Sequence, residues 1–134
     1  MQAIARRPTE APASDDAVPA ASGPLDIQHL RRYTFGDQAL EKEILSLFLA
    51  QLPETIAALR AAANQRDWKV AAHTLKGSSR AVGAFRLGDI AQEAEQLTYG
   101  ADAEVRADAI CRLQEAASEA RSFIQATYGL NERP

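Results

Sequence analysis

From Gln38 onward, apolar residues recur every three or four positions, the spacing that gives a helix one apolar face. Leu40, Ile44, Leu47, Phe48, Leu52, Ile56 and Leu59 form such a stripe and predict a helix over 38–63. Pro53 falls inside it and removes one backbone donor. The stripe keeps its phase on both sides, which predicts a kink rather than a break. Asp67 predicts the cap of the next helix, 68–82, and Gly83 its stop. A further helix is predicted over 86–99, with Leu87, Ile90, Ala91, Ala94 and Leu97 on one side. The last runs over 103–127 on Ile110, Leu113, Ala117, Ala120 and Ile124, and Gly129 ends it. Upstream, Asp26 caps a short helix reaching Arg32, and Gly36-Asp37 separates it from the long one. Amphipathic helices joined by short connections pack as antiparallel neighbours. The fold class is therefore all-α, an antiparallel four-helix bundle with a short additional N-terminal helix, over residues 25–128.

Residues 1–24 break the pattern. They hold four of the six prolines and no aromatic residue. Such a segment buries too little apolar surface to offset its ordering entropy, and it reads as a disordered tail. It lacks the apolar stretch of a signal peptide. Residues 129–134 read as a short C-terminal tail. No run of 18 or more apolar residues occurs, so no membrane span is expected. The formal net charge of −3 argues against nucleic-acid binding, which calls for a basic footprint. A single cysteine, Cys111, forms no internal disulfide and no metal cluster. It suits a reducing, cytoplasmic setting.

The helix over 68–82 carries the chemistry. An α-helix advances about 100° per residue. Trp68, Ala72, Leu75, Ser79 and Val82 then share one arc, the core face, with the Ser79 hydroxyl bonding back to a carbonyl one turn earlier. His73 falls on the opposite side, within roughly 60° of Lys69, Lys76, Gly77 and Arg80. Arg66 joins them if the helix starts a turn earlier. An exposed histidine among cations is either an inert surface residue or a reactive one. Gly77 tips the balance, because a helix-interior glycine costs about 1 kcal/mol relative to alanine. Lying one turn after His73 on the same face, it clears room over the imidazole. Lys76 reaches the same place and suits a bound anion such as a phosphoryl group.

The run Ala72-His73-Thr74-Leu75-Lys76-Gly77-Ser78-Ser79, followed by Val82-Gly83-Ala84 and Leu87, resembles the histidine-containing phosphotransfer (HPt) domain family of phosphorelays. Gly36-Asp37, Leu45, Phe48, Leu49, Leu52, Pro53 and Asp67-Trp68 fit the same likeness, which covers residues 25–99. The resemblance implies a bundle whose exposed His73 takes a phosphoryl group from a receiver-domain aspartate and passes it to another receiver. It implies His73 as nucleophile and carrier, Lys76 as phosphoryl stabiliser, Gly77 as clearance and Ser78 as a hydrogen-bond donor on the rim. Lys69 and Arg80 are the expected partner-binding residues. Glu95 falls where family members often carry Glu or Gln, and is given no chemistry here. Partners are receiver domains of response regulators or hybrid kinases. This chain binds no cofactor of its own, and Mg²⁺ comes with the receiver. Neither GxxxxGK[ST] nor GxGxxG occurs, so no ATP-dependent kinase activity is expected.

A second class of function is a docking module that binds a receiver or a helix without moving phosphate. His73, Lys76 and Gly77 argue against it, since docking needs no nucleophile. A carboxylate-bridged metal bundle needs inward Glu-x-x-His pairs, which are absent from the sequence. His29 is expected on the exposed side of the short helix, and Cys111 in or near the core. Trp68 is expected in the core with its N–H bonded. Phe48, Phe85 and Phe123 read as packing. A four-helix pattern that closes within one chain predicts a monomer.

Overall fold

The computed structural model describes residues 23–97, 100 and 102–129. Residues 1–22 of the expected tail over 1–24 and the last five residues lie outside these. The described elements are α1 (Ile27–Thr34), α2 (Gln38–Ala61), α3 (Gln65–Val82), α4 (Phe85–Gln96) and α5 (Ala103–Tyr128). All five are helices, with no strand among the described residues. α2 packs on α3 and α5, and α4 packs on the same two, so the four long helices close a ring. Arg86 meets Glu119 and Arg112 meets Glu93, a pairing that runs α4 and α5 antiparallel. The core is Leu and Ala with Trp68 and Ile124 among its large buried residues. The indole of Trp68 donates to the carbonyl of Ala94 at 2.8 Å, so its burial leaves no orphaned donor.

Several boundaries and faces differ from expectation. α1 continues to Thr34, where Phe35 caps it in the left-handed region, φ 54°. α3 begins a turn early because Asn64, not Asp67, is the N-cap, its side chain accepting from the Asp67 N–H at 2.9 Å. Arg66 thus lies within α3. α4 starts at Phe85 and ends at Gln96, with Leu97 as C-cap. The expected extension to Tyr99 lies outside the described residues.

The apolar stripe of α2 differs from the expected one in its first half. Leu45, Phe48, Leu49, Leu52, Ile56 and Leu59 are buried, while Leu40 is partly exposed and Leu47 is 65% exposed. The middle of α2 is apolar almost all round, so periodicity supports two phases. Glu41 decides between them. Its fully buried carboxylate accepts from Thr34 Oγ1 at 2.8 Å, Arg31 Nε at 3.2 Å and the Tyr128 hydroxyl at 3.1 Å. Three donors offset its desolvation, and they tie α1 and the end of α5 to α2.

α2 runs unbroken through Pro53. By length and composition α2 is apolar enough to cross a bilayer, a test that core helices of soluble bundles also pass. Cys111 is exposed, not in the core. It lies off the arc of Ala109, Leu113, Ala116 and Ala120 that α5 buries. His29 is half-buried rather than exposed, its ring edge-on to Tyr33 and to Phe85 at centroid distances of 5.4 and 5.0 Å.

Gly83 closes α3 at φ 93°, with its N–H donating to Arg80 O. Its own carbonyl accepts from the Asp26 N–H at 2.9 Å. A Cβ here would lie 2.6 Å from Asp26 O, so only glycine allows the N-terminal segment this close. Leu25, beside that contact, is buried.

Candidate functional site

α3 buries Trp68, Ala71, Ala72, Leu75, Ser79 and Val82, so its opposite face is presented to solvent. His73 sits in the middle of that face with a side chain 67% exposed. Its Nδ1 lies 3.0 Å from Oε2 of Glu95 on α4. The other carboxylate oxygen of Glu95 pairs with Lys76 Nζ at 2.7 Å. One carboxylate, itself only 13% exposed, therefore holds both the imidazole and the ammonium.

The Lys76 hydrogen bond holds the Glu95 carboxyl below the usual carboxylate range. Partial burial opposes this, and the His73 hydrogen bond adds to it. Ionised Glu95 can only accept hydrogen bonds. The proton of a neutral His73 is thus assigned to Nδ1, which leaves the Nε2 lone pair directed to solvent. The arrangement leaves one imidazole nitrogen with an unshared lone pair on an exposed helix face, which is what a nucleophile requires.

Gly77, one turn on, is exposed, and a Cβ built there meets nothing within 4 Å. Helix–helix packing therefore does not account for it.

The other expected site residues are placed differently. Ser78 Oγ points to Gln51 Oε1 on α2 at 3.5 Å, toward the α2 flank of the site. Lys69 is exposed, one turn before His73. Arg80 is drawn across to α4, where Nη2 donates to Gln92 Oε1 at 2.7 Å and Asp89 Oδ1 at 3.1 Å. Its stem covers Gly88, where a Cβ would meet Arg80 Cγ at 2.8 Å. The basic stripe is thus partly neutralised on its α4 side. The α2 side instead shows exposed Leu47 and Val70, with Gln51, Thr55 and Thr74 along the α2–α3 groove.

Ser79 Oγ is buried without a hydrogen-bond partner. The back-bond expected for it is not made. Glu95, given no chemistry from the sequence, is the residue that joins the imidazole to the ammonium. Its signal was its place on the helix facing His73, directly after buried Ala94, where the resemblance expects Glu or Gln.

No group of three or more His, Cys, Asp or Glu side chains among the described residues could hold a metal ion. The chain matches the family model described as Hpt domain over residues 43–123. No curated protein and no solved structure matches it at a significant level.

Proposed function

The chain belongs to the Hpt domain family, and from that premise we propose that His73 is the phosphoryl carrier of a phosphorelay, loaded by one receiver-domain aspartate and unloaded by another. A histidine phosphotransfer role goes with the family. The residue, the partners and the step are our reading. The observation that carries it is the exposed imidazole, its Nε2 freed by the Nδ1–Glu95 hydrogen bond, with Gly77 and its open space one turn on.

In the loading step the Nε2 lone pair attacks phosphorus of an aspartyl phosphate. The N–P bond forms, the P–O bond breaks, and the aspartate leaves as a carboxylate. Phosphoryl transfer of this kind asks mainly for alignment and charge stabilisation. Lys76 brings positive charge beside the imidazole, and Gly77 leaves the line of approach clear. Ser78 belongs to the rim on the α2 side. Mg²⁺ belongs to the receiver's acidic pocket, and no residue set of this chain is assigned to it.

The receiver must cover His73 to bring its aspartate into line. It seats on the α2 side, where Leu47 and Val70 offer apolar contact, while Lys69 steers the acidic pocket. Arg80, occupied by Asp89 and Gln92, contributes less than Lys69. We place the protein in the cytoplasm as a monomer.

The test is transfer from a panel of radiolabelled phospho-receivers with Mg²⁺ to wild type and to His73→Gln. Acid-labile, alkali-stable label on wild type alone is the expected result. Receiver binding without label would support the docking-module reading instead.

A further inference from the structure

Charge is not spread evenly over the bundle. The chain carries 18 Asp and Glu against 15 Lys and Arg. One groove is nevertheless lined, among the described residues, by arginines and by no Asp or Glu. It runs between α2 and α5, the least closely packed of the four helix pairs that close the ring. Two adjoining cavities of about 410 and 240 Å³ form it, and they share Arg60 and Gln114. Arg106 lines one end and Arg121 the other. From Arg106 to Arg121 is roughly 22 Å along α5, at 1.5 Å per residue.

The sequence builds this groove by keeping acids off one stripe of each helix. On α5 the stripe is Arg106, Ile110, Gln114, Ala117 and Arg121, at helical spacing. Glu119 is turned to α4, where Arg86 holds it. On α2, Glu54 lines the other groove, against α3, and Glu41 is buried with α1 and Tyr128. The floor is apolar, made by the edges of Leu52, Ile56, Leu59 and Ala117. Arg60 stands exposed at the middle. Arg121 also serves the Leu49 carbonyl, so it belongs to the frame as well as to the lining.

We propose that this groove docks an acidic amphipathic helix of a partner protein, laid along α2 and α5. Its apolar side chains rest on the floor and its carboxylates meet Arg60 and Arg106. A helix of about 15 residues spans the length, and a helix in an apolar groove is a common recognition mode. Charge complementarity selects this occupant. A second copy placed groove on groove sets arginine against arginine, with no acid to answer it. A polyanion such as nucleic acid or an anionic bilayer also meets Glu104, Asp108 and Glu115, exposed elsewhere on α5. His73 and Glu95 lie on α3 and α4, the opposite side of the ring, so the docked helix leaves His73 uncovered. The proposal does not depend on what His73 carries.

The probe is a synthetic helical peptide with leucines on one face and glutamates flanking them. Its control has lysine for each glutamate. Each is titrated into the ¹⁵N-labelled full chain and followed by NMR. The glutamate peptide should shift amides of α2 and α5 along the groove and leave those around His73 in place. The lysine peptide should not bind. Arg60→Glu should weaken the glutamate peptide about tenfold, and Arg60→Lys should restore most of the affinity. Arg60 is exposed, so both variants should keep the wild-type spectrum outside the groove. Failure of the glutamate peptide to bind at millimolar concentration would overturn the proposal. So would equal binding of the lysine peptide, or shifts centred on His73. A wild-type dimer in sedimentation equilibrium that Arg60→Glu abolishes would assign the groove to a second copy instead. Shifts in residues 1–22 on making Arg60→Glu in the free chain would assign it to the chain's own N-terminal segment. Binding to phosphatidylglycerol vesicles that Arg60→Glu abolishes, with no peptide binding, would assign it to a lipid surface.

Discussion

Arg121 of α5 donates to the backbone carbonyl of Leu49 on α2 at 3.2 Å. That carbonyl is the one Pro53 leaves without its intrahelical donor four residues on. A side chain from a neighbouring helix thus occupies the vacancy, and α2 continues through the proline. Arg121→Met should destabilise the bundle by about 1 kcal/mol. In a Pro53→Ala background the loss should be smaller, since the alanine N–H can reach Leu49. Urea unfolding of the four proteins measures this coupling apart from the other contacts of Arg121. Equal losses in both backgrounds would show that Arg121 does not serve that carbonyl.

Gly77 has open space where a Cβ would go. Gly77→Gln should therefore raise stability, by about 0.5–1 kcal/mol, while slowing phosphoryl transfer to His73. Thermal unfolding reads the first effect and the labelling assay the second. A variant both stabler and equally fast would remove clearance as the reason for the glycine.

The buried, unpartnered hydroxyl of Ser79 costs its desolvation without return. Ser79→Ala should stabilise the fold by about 1 kcal/mol, at the low end of the range for an unsatisfied buried group. Loss of stability in urea titration would reveal a bond that the hydroxyl makes in solution.

Two groups set opposite limbs of the stability–pH curve. The Glu95 carboxyl is held below its ordinary range, so the unfolded chain binds that proton more tightly than the folded one. Its contribution is whole above the ordinary carboxylate pKa and is lost as pH falls through the lowered value. Tyr128 is raised, first by burial and then by Glu41. Its contribution is whole below the ordinary value of 10.0 and is lost as pH rises through the raised one. Glu95→Gln should flatten the acid limb and Tyr128→Phe the alkaline limb. Unfolding midpoints across pH check both, and unchanged limbs would refute the assignment.

Leu47, exposed on α2, should matter to partners and not to the fold. Leu47→Asp should leave helical content unchanged and weaken receiver binding about tenfold, as an apolar anchor does. Titration calorimetry with a cognate receiver decides it.

The face of α3 was legible because its apolar arc is narrow and its opposite side is charged. The placing of His73 and Gly77 on the exposed face was legible for the same reason. α2 was not, because Leu40, Ile44 and Leu47 compete with Leu45 and Leu49 for the same helix. The outcome turned on a buried Glu41, whose donors lie on α1 and at the end of α5. Glu95 was given no chemistry for a related reason. Its contact with His73 is an interhelical approach of 3.0 Å, and no periodicity within α4 reports that. Cys111 and His29 were misplaced because single residues carry no phase.

The carboxylate of Glu41 also bears on how this domain can be moved between proteins. The family match spans 43–123, yet Glu41, Arg31, Thr34 and Tyr128 all fall outside it, as do buried Leu25, Leu30 and Ile124. A piece excised at the matched ends would strip the partners from one end of the bundle and expose the inner face of α2 there. The smallest transferable unit is therefore bounded by what surrounds one buried acid. A chimera that borrows this bundle must carry both flanks, from about Gly23 to Gly129, to inherit an intact α2.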